Sequence, residues 1–198
     1  MENFKTDLDA DGVLLVTLDA PGKSMNTLTA KGIAELSEII ERIKTDAAVK
    51  GAVICSGKAS GFCAGADLDE MGAMTGGVLG KGLDGLSDAE LKAAEAAAFG
   101  LSAVYRRLET CGKPVAVAIE GLCFGGGFEL ALSCHYRVVA DGPKVQLALP
   151  EAKVGLLPGG GGTQRLTRLL GVMAAAPYLL EGKSMKPQEA LGLKAIHE

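Results

Sequence analysis

Gly121 to Cys134 reads GLCFGGGFELALSC, with three consecutive glycines at 125–127 and, after one intervening residue, Glu129 at the head of an apolar run. Glycine lets the backbone approach a ligand closely, and the opening of a helix aims unpaired N–H groups outward. Upstream, Val115 to Ile119 is an apolar, β-branched run that reads as a strand leading into this turn, and the helix is expected from Glu129 to Ser133. A strand, a glycine turn and a helix in succession form the junction at which α/β folds place ligands. Two readings of Glu129 are open. It caps the macrodipole, which favours negative charge in the first turn, or it is an acid or base beside an electrophile held on those N–H groups.

A second carboxylate, Glu151, stands in LALPEAKVGLLPGGGGTQRL, after a strand-like run and a proline and before a run of glycines at 159–162. Two glutamates beside two backbone-exposing turns have the composition of an acid/base pair. Between them lie two predicted strands, Tyr136 to Ala140 and Val145 to Leu149, so they are expected to meet only across an edge of the sheet. The glycine run lacks the Lys-Ser/Thr ending of a P-loop. It is either a tight opening to a helix or backbone room for an anionic or thioester ligand.

Elsewhere the chain alternates. Phe4 to Leu8 and Val13 to Leu18 flank Asp-Ala-Asp-Gly as a hairpin. Ile33, Leu36, Ile39, Ile40 and Ile43 recur at helical spacing between Thr29 and Lys44. Ala52 to Cys55 reads as a buried strand, with GFCAGADLDEM turning directly into a short helix. Ser87 and Glu90 form a capping box for an alanine-rich helix that runs to about Glu109. Helices are further expected over Gln164 to Leu170, Ala174 to Leu180 and Pro187 to Leu191. Such alternation predicts a parallel or mixed sheet with helices packed on it.

Composition narrows the function. The 198 residues include 28 glycines and no tryptophan, and aromatics make up only 4%, which predicts one domain with an aliphatic core and many tight turns. A net charge of −4 and the absence of a basic stripe argue against a nucleic-acid partner. The amino terminus has no apolar signal-like run and no segment is long enough to span a bilayer, so a soluble cytoplasmic protein is expected. Five cysteines without C-x-x-C spacing predict reduced thiols, and Cys63 and Cys123 read as small buried fillers. With only His135 and His197, no metal site is expected. The string at 80–85, GKGLDG, matches a dinucleotide fingerprint in letters alone, since no strand leads into it. Asp67 reads locally as a helix cap.

FCAGADLDEM, KPVAVAIEGLCFGGGFELALSC and LPEAKVGLLPGGGGTQRL, together with LDAPGKSMNTL near the start, resemble in order the signature blocks of the enoyl-CoA hydratase/isomerase (crotonase) superfamily. ELALSCHYRVVADGPKVQLALPE looks most like the amino-terminal part of its bacterial multifunctional members, in which a dehydrogenase part follows. The resemblance implies an α/β fold, a crotonase-like spiral of ββα repeats with helices packed on mixed sheets. It further implies a single domain, 1–198, truncated at the carboxyl terminus so that the last helices of that fold are missing. It implies hydration of a 2-enoyl-CoA or isomerisation of an enoyl-CoA, with Glu129 and Glu151 as the carboxylates and the N–H groups of Ala66 and Gly126 as an oxyanion hole. Ala64, Asp67, Leu68 and Gly125 fall in the segments that carry CoA and substrate. By the same resemblance acyl-CoA is substrate and no cofactor, metal or NAD is needed. Relatives are usually trimers, and a thiolase is the partner expected in a fatty acid oxidation complex. A noncatalytic acyl-CoA-binding fragment of a larger enzyme is the rival of another class.

Overall fold

A computed structural model describes residues 1–67, 69–70 and 85–198. Leu68, the 72–84 part of the glycine-rich loop and most of the GKGLDG string lie outside the described residues.

The chain opens with β1 (Phe4–Leu8) and β2 (Val13–Leu18), paired antiparallel from Phe4 opposite Leu18 to Leu8 opposite Leu14. The turn between them is closed by the Asp9 carboxylate, which accepts from the N–H groups of Asp11 at 3.0 Å and Val13 at 2.8 Å. Helix α1 (Ala30–Thr45) starts where Thr29 Oγ1 accepts the Gly32 N–H at 3.0 Å, and it buries Leu36, Ile39, Ile40 and Ile43 along the face predicted from their spacing. Its buried Glu35 accepts the N–H groups of Glu2 and Asn3, both at 2.8 Å, which ties the amino terminus to the helix.

β3 (Gly51–Ser56) and β4 (Gly61–Cys63) come next, and α2 (Asp88–Glu109) begins at the expected Ser87–Glu90 capping box. Then follow β5 (Val115–Ile119), β6 (Leu122–Phe124), α3 (Gly126–Ser133), β7 (Tyr136–Val139) and β8 (Gln146–Ala148). A 3-10 turn (Pro150–Val154), α4 (Gly162–Leu170), α5 (Val172–Leu180), β9 (Ser184–Met185) and α6 (Pro187–Gly192) complete the order. Two sheets result, β1-β2-β3-β5-β7 and β4-β6-β8-β9. Each successive pair, β3/β4, β5/β6 and β7/β8, gives one strand to each sheet, and within each sheet these strands run parallel. The chain therefore winds as a spiral, as the resemblance implies.

Two expectations need correction. Neither β3 nor β5 runs straight into its glycine turn, because a second strand, β4 or β6, intervenes after a corner that carries the chain to the other sheet. These strands have three residues each, too few to show a period in the sequence. The corners are glycines with positive φ, +150° at Gly61 and +67° at Gly121. A Cβ on Gly121 would lie 2.7 Å from the Gly61 Cα, so the two corners touch and neither admits a side chain.

The core is aliphatic with a few aromatics, among them the fully buried Phe62, Tyr105 and Phe128. All five cysteines are free, and Cys63 and Cys123 face each other in register between β4 and β6. Burial pushes the Cys63 thiol up to about 12 and raises that of Cys123, so both are inert fillers. Among the described residues no helix is long and apolar enough to cross a membrane.

Packing gives opposite signs to two glycine substitutions. A Cβ at Gly127 would lie 2.7 Å from Cys63 Cβ and 2.8 Å from its carbonyl oxygen, whereas one at Gly100, inside α2, meets nothing within 4 Å. In urea denaturation Gly127→Ala should lose roughly 1–3 kcal/mol through overpacking. Gly100→Ala should gain about 0.5–1 kcal/mol from helix propensity.

Candidate active site

Strands β4, β6 and β8 are adjacent and parallel, so their carboxyl-terminal ends lie side by side. The segment after β4 carries Ala64, Gly65 and Ala66; that after β6 carries Gly125, Gly126 and, one helical turn on, Glu129; that after β8 carries Glu151. The two glutamates thus meet across neighbouring strands and not across a sheet edge, which corrects the sequence expectation. The Gly125 N–H donates to the Ala148 carbonyl at 2.9 Å and locks the second segment to the third. A Cβ on Gly125 would lie 3.0 Å from Glu151 Oε1 and 3.7 Å from the Gly65 Cα, so all three segments are in contact there.

Backbone hydrogen bonds fix two N–H groups at this junction. The Gly65 carbonyl accepts from Leu28 N–H at 2.8 Å and the Leu28 carbonyl accepts from Asp67 N–H at 3.0 Å, a bridge that uses the groups on either side of Ala66 and leaves its own N–H free to point away. The Gly125 carbonyl accepts from Glu129 N–H at 2.9 Å, and because the peptide is trans, the Gly126 N–H on the same plane points out of the helix opening. A Cβ on Gly126 would sit 3.7 Å from the Ala66 nitrogen, so the two donors are neighbours. Gly65, at φ +101°, and Gly125, at φ +52°, occupy the left-handed region, and a Cβ on Gly65 would meet the Phe124 carbonyl at 3.0 Å and the Gly126 nitrogen at 3.2 Å. Tyr105, fully buried on α2, donates its hydroxyl to the Gly126 carbonyl at 2.7 Å and anchors the first turn of α3.

The carboxylates are held differently. Glu129 is 1% exposed, and its Oε1 accepts the Gly162 N–H at 2.8 Å, with the Gly160 N–H as a second donor. It stands in the first turn of α3 yet caps the opening of α4. The glycine run therefore makes room for this carboxylate: a Cβ at Gly160 would lie 2.6 Å from Glu129 Oε2, and one at Gly162 would lie 3.0 Å from Oε1. Burial raises the Glu129 pKa, opposed by those N–H groups and by the Arg165 charge. Glu151, part-buried in the 3-10 turn, has an Oε2 that is buried without a hydrogen-bond partner. Burial, with a further push from the Glu129 charge, raises its pKa to about 7.

Other buried acids behave in the opposite way. At Glu35 burial is outweighed by the N–H groups of Glu2 and Asn3, so its pKa falls. Asp67 is held at about 2 by Lys23, with help from Thr27 Oγ1 at 2.9 Å and from the Glu70 N–H, which it caps at 3.3 Å as the local reading predicts. Ala64 is exposed beside it, its N–H bonded to the Asn26 carbonyl at 2.9 Å. Sequence reasoning missed Tyr105 and Arg165. The first is one of two aromatics in an alanine-rich helix, and the second, in TQRL, is buried at 7% exposure with Nη1 on the Gly160 carbonyl at 2.8 Å.

Two surface cavities flank the glycine run, one of about 320 Å³ lined by Ser102, Gln164 and three arginines, Arg106, Arg165 and Arg168, and one of about 300 Å³ lined by Phe99, Leu157 and Pro158 among others. Neither is lined by Glu129 or Glu151. Among the described residues no cluster of three or more His, Cys, Asp or Glu side chains could hold a metal ion.

A spiral that sets paired N–H groups against two carboxylates defines a recognised class. The chain belongs to the enoyl-CoA hydratase/isomerase family, whose model matches residues 9–194. It is 42% identical over 197 residues to the fatty acid oxidation complex subunit alpha of Shewanella amazonensis, covering 100% of this chain and 26% of that protein. It is likewise 42% identical over 199 residues to the subunit of the same name from Shewanella oneidensis. The chain thus spans 26% of the length of these curated relatives. Among solved structures it is similar to an enoyl-CoA hydratase from Bacillus anthracis, with 29% identity and a TM-score of 0.80 over 98% of this chain and 68% of that one. DspI of Pseudomonas aeruginosa gives 28% identity and a TM-score of 0.81 over 99% and 67%.

Glu151, with one buried oxygen unpartnered, has a stability signature. Its folded pKa of about 7 lies above the 4.5 of an ordinary glutamate, so between those values the folded protein holds a proton that the unfolded chain releases. Its contribution therefore falls as pH rises through the window and is constant above it. The melting temperature of Glu151→Gln minus that of wild type should be more positive at pH 8 than at pH 5; an equal difference at both would contradict the raised pKa.

Proposed function

We propose that this chain catalyses the reversible hydration of a trans-2-enoyl-CoA to the 3-hydroxyacyl-CoA. The observation that carries the reading is the pairing of one carboxylate gripped by backbone N–H groups, Glu129, with one that has an unpartnered oxygen, Glu151, beside the neighbouring N–H groups of Ala66 and Gly126.

Adding water to a conjugated thioester places negative charge on the thioester oxygen. The Ala66 and Gly126 N–H groups, fixed in direction before substrate arrives, bind that oxygen and stabilise the charge, an effect of about 3 kcal/mol per donor in comparable sites. Ionised Glu129 accepts a proton from the attacking water as its oxygen bonds to C3. Glu151, whose raised pKa of about 7 keeps a substantial fraction protonated at neutral pH, donates to C2, and the reverse reaction exchanges the two roles. Acid/base work by two like groups requires environments that separate their pKa values, and here the Gly160 and Gly162 N–H groups and the Arg165 charge act on Glu129, whereas Glu151 has only its own backbone N–H. The acyl-CoA is substrate, and the mechanism uses no metal, NAD or other cofactor.

In this reading Ala64, Asp67 and Gly125 belong to the segments that carry CoA and substrate. The names of the Shewanella relatives support a role in fatty acid oxidation as part of a complex. In this reading the chain works in the cytoplasm as a homo-oligomer with a thiolase as partner. The exposed apolar side chains Val172, Met173 and Leu180 on α5 support association with further protein. Isomerisation of a 3-enoyl-CoA is the second reading. It is favoured by the free Glu151 oxygen, which can carry a proton between C2 and C4 without Glu129.

Mixing the protein with crotonyl-CoA should bleach the absorbance of the conjugated thioester. Glu129→Gln and Glu151→Gln should each slow this by roughly 10²–10⁴-fold. Full activity in either variant would overturn the reading, and 3-enoyl-CoA isomerase activity that survives Glu129→Ala would favour the second. In the hydration direction the rate should fall as pH rises above about 7, where Glu151 loses its proton, and fall again in acid as Glu129 gains one.

A further inference from the structure

The segment from Gly160 to Gly162 touches two opposite charges. Glu129 accepts the Gly162 N–H at 2.8 Å, and Arg165 donates Nη1 to the Gly160 carbonyl at 2.8 Å. The Arg165 side chain is only 8% exposed, and its Nη2 reaches Glu109 Oε2 at 3.4 Å while Nε has no protein partner. Glu109, at the end of α2, also accepts from Arg106 at 2.7 Å. One guanidinium therefore spans a backbone carbonyl of the site and a carboxylate of a distant helix, a double contact that the fork of arginine makes and the single ammonium of lysine does not.

We propose that Arg165 is a positioning residue for Glu129: it fixes the glycine segment whose N–H groups grip that carboxylate and supplies the buried positive charge that favours its ionised form, with Glu109 limiting how much of that charge Glu129 feels. The charge cannot be lost, because a guanidinium does not deprotonate in proteins. A carboxylate as buried as Glu129 is otherwise driven toward its neutral form. Among the described groups, Glu129 is faced from α2 by the Tyr105 hydroxyl, from the turn after β8 by Glu151 and from α4 by Arg165, so Arg165 is the one cation on it. Arg106 and Arg168 line the adjoining cavity of about 320 Å³ with Arg165 and Glu109. The catalytic meaning of this arrangement rests on the hydratase reading above; the electrostatic arrangement does not.

The test is a ¹³C-carboxyl NMR titration of the protein labelled at glutamate, in a Glu151→Gln background so that the transition belongs to Glu129 alone. The resonance is assigned by its loss in Glu129→Gln. Arg165→Met should move the Glu129 midpoint to higher pH by roughly half a unit or more. Glu109→Gln, which frees the Arg165 charge, should move it to lower pH, and Arg165→Lys should fall between wild type and Arg165→Met. A merely structural role moves the midpoint in neither variant or in the same direction in both, and either result would overturn the proposal. If Arg165→Met does not fold, Glu109→Gln decides alone: no downward shift refutes the idea. With Glu151 restored, the acid limb of kcat/KM for crotonyl-CoA should follow the NMR midpoints while KM changes little. Absence of turnover in wild type would remove the hydratase reading and leave the NMR outcome to judge Arg165 by itself.

Discussion

Three short parallel strands ending at one level are the constraint on which the site depends. The ladder β4-β6-β8 places three chain segments side by side, and each delivers one component: the Ala66 N–H, the Gly126 N–H with Glu129, and Glu151. Glycine is required where these segments crowd. At Gly65 and Gly125 the backbone is left-handed, and a side chain would strike a neighbouring segment. The directions of the N–H groups then follow from the carbonyls on the same peptide planes, each already engaged elsewhere. Preorganisation here is chiefly a property of hydrogen-bonded backbone, with the Tyr105 hydroxyl anchoring the turn that presents the Gly126 N–H.

Electrostatics separates the paired glutamates from the structural acids. Glu35 and Asp67 are buried, but each is surrounded by donors, and their pKa values fall. Glu129 and Glu151 are buried with too few donors, and their values rise. A folded protein tolerates such under-partnered groups at the expense of stability, and functional sites are where they concentrate. The difference between the two glutamates comes from the glycine run at 160–162, which reaches one carboxylate and not the other.

Most of the architecture was legible in the sequence because it rests on local signals. The spacing of Leu36, Ile39, Ile40 and Ile43, the Ser87–Glu90 capping box and the apolar runs of β1, β2 and β5 mark their elements within a residue or two. β4 and β6 were not legible, since three residues carry no period and their identity comes from a glycine corner that changes sheets. The convergence of Glu129 and Glu151 was hidden for the same reason: adjacency of β6 and β8 in a second sheet is not encoded in spacing. Motif resemblance picked out Ala66, Gly126 and both glutamates. It gave no signal for Tyr105 or Arg165, whose contacts with Gly126 and Gly160 exist only once α2 and α4 are packed.

The pairing of β4 with β6 also bears on the order of folding. These strands are separated in the chain by all of α2 and β5, whereas β6 and β8 are separated only by α3 and β7. Closing the longer loop carries the larger entropic penalty, so the β6-β8 half, with both glutamates, can assemble from nearer segments. On this entropic ordering the Ala66 N–H joins after them, when β4 pairs with β6 and Cys63 comes opposite Cys123. A nascent chain of this design would bring its two glutamates together before the Ala66 and Gly126 N–H groups became neighbours, and the two halves of the site would acquire protection from hydrogen exchange at different times.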